Sequence, residues 1–208
     1  MRESNKGLLV VISGPSGVGK GSIINVLRER RSNIKLSVSA TTRSPRPGEV
    51  DGVHYFFIDE PTFQSMIDRD EFLEYMHVFN THFYGTPRSF VVGEMEAGND
   101  VVLDIDVQGA MKVRDSFPDA VLIFIAPPSL SELKERLIGR GTETAEQVER
   151  RFNTAFEEMK LAGKYDYVVV NDILDIAVNK VENIIGAEKS RISRNCALIS
   201  ELSGGSEK

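Results

Sequence analysis

The chain is predicted to fold as an α/β protein around a central parallel sheet, on three observations. An apolar run, Leu8 to Ser13, gives way at once to glycines and then to helical spacing. Branched apolar runs recur at Val101 to Ile105, Ala120 to Ile125 and Val168 to Val170, with helical stretches between or after them. Residues 37–98, between the first helix and the second such run, are different in character: turn-rich, with Pro45 and Pro47. Continuous apolar runs suit strands covered on both faces, and their alternation with helices indicates a three-layer arrangement. The differing stretch is expected to be an inserted mixed α/β segment that holds a ligand.

Taken in order, the first helix begins at Lys20, with Ile23, Ile24 and Leu27 inward and Arg28, Arg30 and Arg31 toward solvent. After Pro127 and Pro128, Ser129 is placed to cap a helix reaching about Ile138, which Gly139 and Gly141 interrupt. Thr144 and Gln147 have capping-box spacing and restart a helix with the apolar face Val148, Phe152, Ala155, Phe156 and Met159. The glycines make a hinge. A last helix, about Ile173 to Ser193, closes the fold, and Ser200 to Lys208 reads as a loose tail. No internal repeat is visible.

The 208 residues suffice for one such domain and a core that stands without disulfides. A single cysteine, Cys196, excludes an intrachain disulfide framework and is expected to be a bystander. The apolar run at Leu8 is too short for a signal sequence or a membrane span, so a cytoplasmic location is expected. A net charge of −6 argues against broad binding to nucleic acid or anionic membranes. Any anionic ligand must be met by locally clustered cations.

Gly14, Pro15, Ser16, Gly17, Val18, Gly19 and Lys20 have the spacing of a Walker A loop, between a strand and a helix as that motif requires. Glycines let backbone N–H groups converge on phosphate oxygens, the helix N-terminus adds partial positive charge, and the lysine reaches the β and γ phosphates. The motif normally continues with Ser or Thr to touch Mg²⁺, but here Gly21 follows and Ser22 comes one later. Ser22 is the candidate for that contact, directly or through water. The loop by itself indicates nucleotide binding, not a reaction.

Arg43 and Arg46 lie three apart on a segment stiffened by Pro45 and Pro47, which suits two guanidinium groups converging on a phosphate dianion. Tyr55 adds a hydroxyl donor. Read in isolation, the run is by default two solvated arginines in a proline turn. Asp104 and Asp106 close the run VVLDID and are expected at the carboxyl edge of the sheet on opposite faces. Asp104 is expected either to orient metal-bound water, as a Walker B carboxylate does, or to cap the following turn. His54, His77 and His82 are scattered and are given no catalytic role.

The run is not isolated. Thr41, Thr42, Arg43, Arg46, Glu49, Gly52 and Tyr55, with EFLEY at Glu71, YGTP at Tyr84, LDIDVQG at Leu103, IAPPS at Ile125, GRGTET at Gly139 and VND at Val170, closely resemble guanylate kinases over about residues 7–190. The lysine–glycine–hydroxyl order after the loop is likewise similar to nucleoside monophosphate kinases.

The resemblance implies a P-loop NTPase-type fold with a core at 7–36, 89–135 and 153–193, a GMP-binding insertion at 37–88, a helical lid at 136–152 and a tail at 194–208. It implies phosphoryl transfer from ATP, carried with Mg²⁺, to GMP and also dGMP, with a role in purine nucleotide metabolism. Arg43, Arg46, Tyr55 and Tyr84 are then expected around the GMP phosphate, and Ser39, Glu74, Thr86 and Asp106 around guanine. Arg136, Arg140 and Arg151 match lid arginines, with Arg140 and Arg151 expected at the transition state beside Lys20 and Arg43. Asn171 is expected to border the ATP adenine.

Glu74 has the clearest physical case. A carboxylate accepts from guanine N1–H and N2–H₂ together, whereas adenine offers a bare N1 and no 2-amino group. Among rivals, a catalytically silent interaction module of this fold is expected to lose the loop or the lid arginines, yet Lys20, Arg140 and Arg151 are present. An adenylate or pyrimidine monophosphate kinase fits Glu74 and Ser39 poorly, and no NKxD motif supports a GTPase. Homo-oligomerisation is left open.

Overall fold

A computed structural model describes residues 6–78, 81–139 and 145–203. Its centre is a five-stranded parallel sheet made of β1 (Leu9–Ser13), β2 (Ile34–Leu36), β7 (Asp100–Asp104), β8 (Val121–Ala126) and β9 (Tyr167–Val170), ordered β2-β7-β1-β8-β9. Because side chains alternate along a strand, β1 feeds two cores. Val10 and Ile12 pack with α1 (Lys20–Arg30) and α7 (Leu174–Lys189) through Ile23, Leu27, Val178 and Val181. Leu9 and Val11 pack with α3 (Arg88–Glu96) and α4 (Val107–Ser116) through Val91, Met95, Ala110 and Val113. Each such fully buried aliphatic side chain contributes roughly 1.5–3 kcal/mol.

β1 has β7 on one side and β8 on the other; the connection leaving β1 runs past β7 to β2, while the one leaving β7 runs the opposite way, past β1 to β8. A crevice therefore opens at the carboxyl ends of β1 and β7, where open α/β sheets take ligands. At the opposite edge Asp100, fully buried, accepts from Leu8 N and pairs with Lys189 Nζ at 2.8 Å, fastening β7 to β1 and to the end of α7.

A second, four-stranded sheet has the order β4-β3-β6-β5, from β3 (Ala40–Thr41), β4 (Phe56–Phe57), β5 (Phe72–Val78) and β6 (His82–Pro87). It carries α2 (Glu60–Asp68), capped by Asp59, which accepts from Thr62 N. Its core is aromatic: Phe63 stacks on Phe72 at 4.4 Å and on Phe83 at 5.2 Å. Both Phe63 and Phe72 press on Gly85, where a Cβ would come within 3.0 Å of them. Of the four strands, β5 alone is tied firmly to the parallel-sheet domain: Leu73 joins the α3/α4 core, Ser116 Oγ donates to Leu73 O, and Lys112 Nζ donates to Tyr75 O.

Two helices form the third unit, α5 (Leu130–Ile138) and α6 (Ala145–Met159). Ser129 caps α5 as expected, accepting from Glu132 N. Leu133 and Leu137 meet Val148, Phe152 and Ala155. Phe156, expected on that face, is instead 47% exposed, with the Lys160 ammonium 5.0 Å from its ring centre.

Three other expectations need correction. The closing helix stops at Lys189, and the segment read as tail contains a further helix, α8 (Cys196–Leu202), after a 3₁₀ turn at Ile192–Arg194. Strand β2 was not anticipated. The strand VVLDID ends at Asp104; Asp106 lies beyond it as the N-cap of α4, accepting from Gly109 N at 2.8 Å, so strand alternation does not govern the pair. Among the described residues no helix is long and apolar enough to cross a membrane.

Candidate active site

The phosphate loop spans the end of β1 and the start of α1. Gly14, Gly17 and Gly19 have φ of 144°, 87° and 92°, a region that L side chains avoid. At Gly14 a Cβ would also lie 2.3 Å from Ile125 O, because the loop passes directly over the neighbouring strand. Gly14→Ala is expected to destabilise the fold by about 3 kcal/mol or more, read as a lower urea midpoint with unchanged slope. Lys20 Nζ curls back and donates to Gly14 O at 2.8 Å, and the buried Asn171 side chain donates to Val18 O. Asn171 O in turn accepts from Arg136. Pro15 is buried, Ser16 half-buried, and Gly21 and Ser22 are exposed on the first turn of α1.

Across the crevice, a cavity of about 180 Å³ is lined by Ser39, His54, Tyr55, Thr86 and Asp104, among others. Glu74, only 7% exposed, sits on β5 opposite Thr86, whose hydroxyl donates to Glu74 Oε1 at 2.7 Å. Burial pushes the Glu74 carboxyl up, the Thr86 hydrogen bond draws it down, and nearby Asp106 pushes it up again. Its second oxygen, Oε2, faces Gly109, at the start of α4.

At the other end of this sheet Arg43 makes a two-pronged pair with Glu49, at 2.9 and 2.8 Å, and its Nε donates to Tyr84 OH. The Arg43 guanidinium also lies 5.4 Å from the Tyr55 ring centre, and Tyr55 meets Tyr84 edge to face. Arg46 N donates to the same Glu49 carboxylate at 2.7 Å, while the Arg46 side chain is solvent-exposed. Glu49 thus organises both arginines.

The Arg43 hydrogen bonds hold the Glu49 carboxyl at about 2, well below its ordinary 4.5. A carboxyl depressed on folding stabilises above its unfolded value and stops doing so as pH falls through its folded one. The pair's contribution is therefore complete above about pH 4.5 and lost toward pH 2. Glu49→Gln is expected to lower Tm at pH 7, to lower it less as pH falls below about 4, and to raise KM for the phosphate-bearing acceptor on the order of tenfold.

Asp104 keeps solvent access at the cleft floor, yet its surroundings desolvate it enough to raise its carboxyl, while the Lys20 ammonium draws it back. Arg151 on α6 reaches Ser16 Oγ in the phosphate loop at 3.4 Å. Arg140 and Thr144 lie outside the described residues. Thus Asp104 shares a cavity with Ser39, Tyr55 and Thr86, Lys20 lies near Asp104 and Asp106 near Glu74, and Arg151 approaches the phosphate loop from α6.

Comparison with known proteins gives a family model, described as guanylate kinase, that matches residues 6–188. The chain belongs to the guanylate kinase family. It is 54% identical over 195 residues to a guanylate kinase of Caldanaerobacter subterraneus, covering 94% of each chain. To a guanylate kinase of Clostridioides difficile it is 50% identical, covering 94% of this chain and 95% of the relative. A crystal structure of guanylate kinase from Anaplasma phagocytophilum superposes with a TM-score of 0.73 at 33% identity, over 98% of both chains. The parallel sheet and phosphate loop are therefore those of a P-loop NTPase-type fold.

One carboxylate of this guanylate kinase family member that feels the charges of Lys20 and Asp106 escaped the sequence reading: Glu158. It lies seven residues after Arg151 and three after Ala155, so all three occupy one stripe of α6. That heptad spacing was the available signal.

Proposed function

We propose that this chain transfers the γ-phosphoryl group of ATP to GMP, giving ADP and GDP, with dGMP as a second acceptor. The observation that carries the reading is a buried carboxylate, Glu74, hydrogen-bonded to Thr86 on the wall of a cavity whose Asp104 lies near the phosphate-loop lysine. The loop suits a polyphosphate donor. The carboxylate suits a base with adjacent N–H and NH₂ donors, which among common nucleobases means guanine.

In this reading ATP lies along Gly14 to Ser22, with Arg136 and Asn171 beside it. GMP lies in the insertion, its phosphate held by Arg43, Arg46, Tyr55 and Tyr84 and its base by Ser39, Glu74, Thr86 and Asp106. A GMP phosphate oxygen attacks the γ-phosphorus in line as the bond to the ADP oxygen breaks, and no covalent enzyme intermediate forms. The acceptor is already anionic near neutral pH, so no strong base is needed; positioning and charge neutralisation carry the rate. Lys20, Arg43, Arg140 and Arg151 supply that positive charge from several sides.

The hydroxyl of Ser22 and the carboxylate of Asp104 are hard oxygen donors of the kind Mg²⁺ takes. Among the described residues no group of three His, Cys, Asp or Glu is arranged to hold a metal, which fits an ion that arrives on the nucleotide. When bound, Mg²⁺ would neutralise phosphate charge, with Ser22 and Asp104 as its protein partners.

Bacterial relatives and the sequence character support a cytoplasmic role in purine nucleotide metabolism. The interaction-module reading is disfavoured, since the phosphate loop keeps its lysine and Arg151 its approach to Ser16. The test is ADP formation from MgATP with GMP, AMP, CMP and UMP in separate reactions, with products separated by chromatography. GDP formed with GMP strongly preferred is the expected result. No turnover by demonstrably folded protein would overturn the proposal.

A further inference from the structure

Two polar side chains in the wall of the cavity beside Asp104, Ser37 and His54, take no part in holding phosphate or base. The cavity measures about 180 Å³. Pockets for whole small molecules begin at roughly 300 Å³, so this one suits a part of a nucleotide. Tyr55, assigned above to the phosphate, and Ser39 and Thr86, assigned to the base, all line it. In a nucleoside monophosphate the sugar stands between phosphate and base, and it therefore falls within this cavity.

His54, itself exposed, is fixed by the turn that precedes Tyr55. Its backbone N donates to Val50 O and Gly52 N donates to Tyr55 O, while Gly52 takes a φ of 71° that lets the chain reverse. Val50 N in turn donates to His54 Nδ1 at 3.0 Å. A ring nitrogen that accepts carries no proton, so the proton of the neutral imidazole sits on Nε2. Among the described residues that N–H has no hydrogen-bond partner.

Ser37 follows β2 and continues its ladder with β7, its backbone N donating to Val102 O at 2.9 Å. Its hydroxyl is buried and has no hydrogen-bond partner among the described residues. A buried hydroxyl left in this way costs stability, and a ligand oxygen that pairs with it recovers the loss. One group is thus carried by the parallel sheet and the other by the inserted segment, in the wall of one cavity.

We propose that Ser37 and His54 are the sugar-recognising residues of the acceptor site, reading the adjacent 2′ and 3′ hydroxyls of ribose and so ranking GMP above dGMP. This rests on the proposed assignment of GMP to the insertion. Nε2–H of His54 donates to one sugar oxygen, and the Ser37 hydroxyl, which both donates and accepts, pairs with its neighbour. A 2′-deoxy sugar leaves one of the two without its partner. A site built to bond a hydroxyl rejects the analogue lacking it more strongly than an apolar pocket rejects one that carries it.

The test compares kcat/KM for GMP and dGMP, with MgATP saturating, in wild type, Ser37→Ala and His54→Ala. Wild type is expected to prefer GMP by about tenfold or more. Ser37→Ala should bring that preference to within about threefold of one, by raising KM for GMP more than for dGMP. His54→Ala, on an exposed turn, should cut it by about threefold or more, and it serves if the serine variant does not fold. The preference for GMP over AMP, set at Glu74, should persist in both variants, which separates sugar reading from general damage to the pocket.

Equal use of GMP and dGMP by wild type, an unchanged ratio in both variants, or a parallel loss of discrimination against AMP would overturn the sugar subsite and leave the assignment of GMP standing. Wild-type protein that turns over neither guanine nucleotide would instead overturn the assignment on which the subsite rests.

Discussion

Replacing Lys20 with methionine is expected to lower kcat on the order of a thousandfold or more, while GMP affinity stays within about threefold of wild type. The ammonium donates to Gly14 O at 2.8 Å and lies close enough to Asp104 and Glu158 to oppose the rise that burial imposes on both carboxyls. In the proposed reaction it is one of the cations that meet the charge gathered by the migrating phosphoryl group. Methionine keeps the length and most of the volume but none of the charge, so the loss should appear in the chemical step and hardly in folding. Steady-state kinetics with both substrates varied, beside a thermal melt, separate these effects. A fall of less than about tenfold in a folded variant would remove Lys20 from the transition state.

The second large effect is expected at Glu74. Glu74→Ala should reduce the preference for GMP over AMP by at least about a hundredfold, mostly by loss of GMP turnover at low concentration. A wild-type preference of about 10⁴-fold is within reach, because a site built to receive two N–H donors is left with an unpaired buried acceptor when adenine enters. The Thr86 hydroxyl already occupies one oxygen, Oε1, and sets the plane of the carboxylate.

Since burial and Asp106 raise the Glu74 carboxyl, acidification should weaken GMP binding at a higher pH than an ordinary carboxylate would require. The protonated group can no longer accept from both guanine donors. Competition assays with GMP and AMP across pH, for wild type and variant, check both points. An unchanged preference in the variant would move base recognition elsewhere in the pocket.

Much of this was legible in the sequence because it is written locally. The phosphate loop needs a strand, glycines at fixed spacing and a lysine, all within a dozen residues, and each is where it was expected. Ser129 announced α5 for the same reason.

The second sheet was legible only as a region. Strands β3 and β4 are two residues each, too short for any period, and are held by pairing with segments far along the chain. Asp106 was misplaced because VVLDID alternates like a strand to its end, whereas the helix after it wins the aspartate as a cap. The strand at Ile34–Leu36 was passed over because three residues carry little pattern; it is stabilised by its ladder with β7.

The one-sided attachment of the smaller sheet sets an order among its contacts. It is hung on β5, through Leu73, Ser116 and Lys112, and the strands beyond β6 are progressively further from that seam. A door moves least at its hinge. Any rotation about β5 leaves Glu74 nearly in place and swings Arg43, about 10 Å away across two strand spacings, through a much wider arc. In the proposed reading, a base would meet Glu74 while the phosphate end is still open, and a wrong nucleotide would leave before the arginines closed on it.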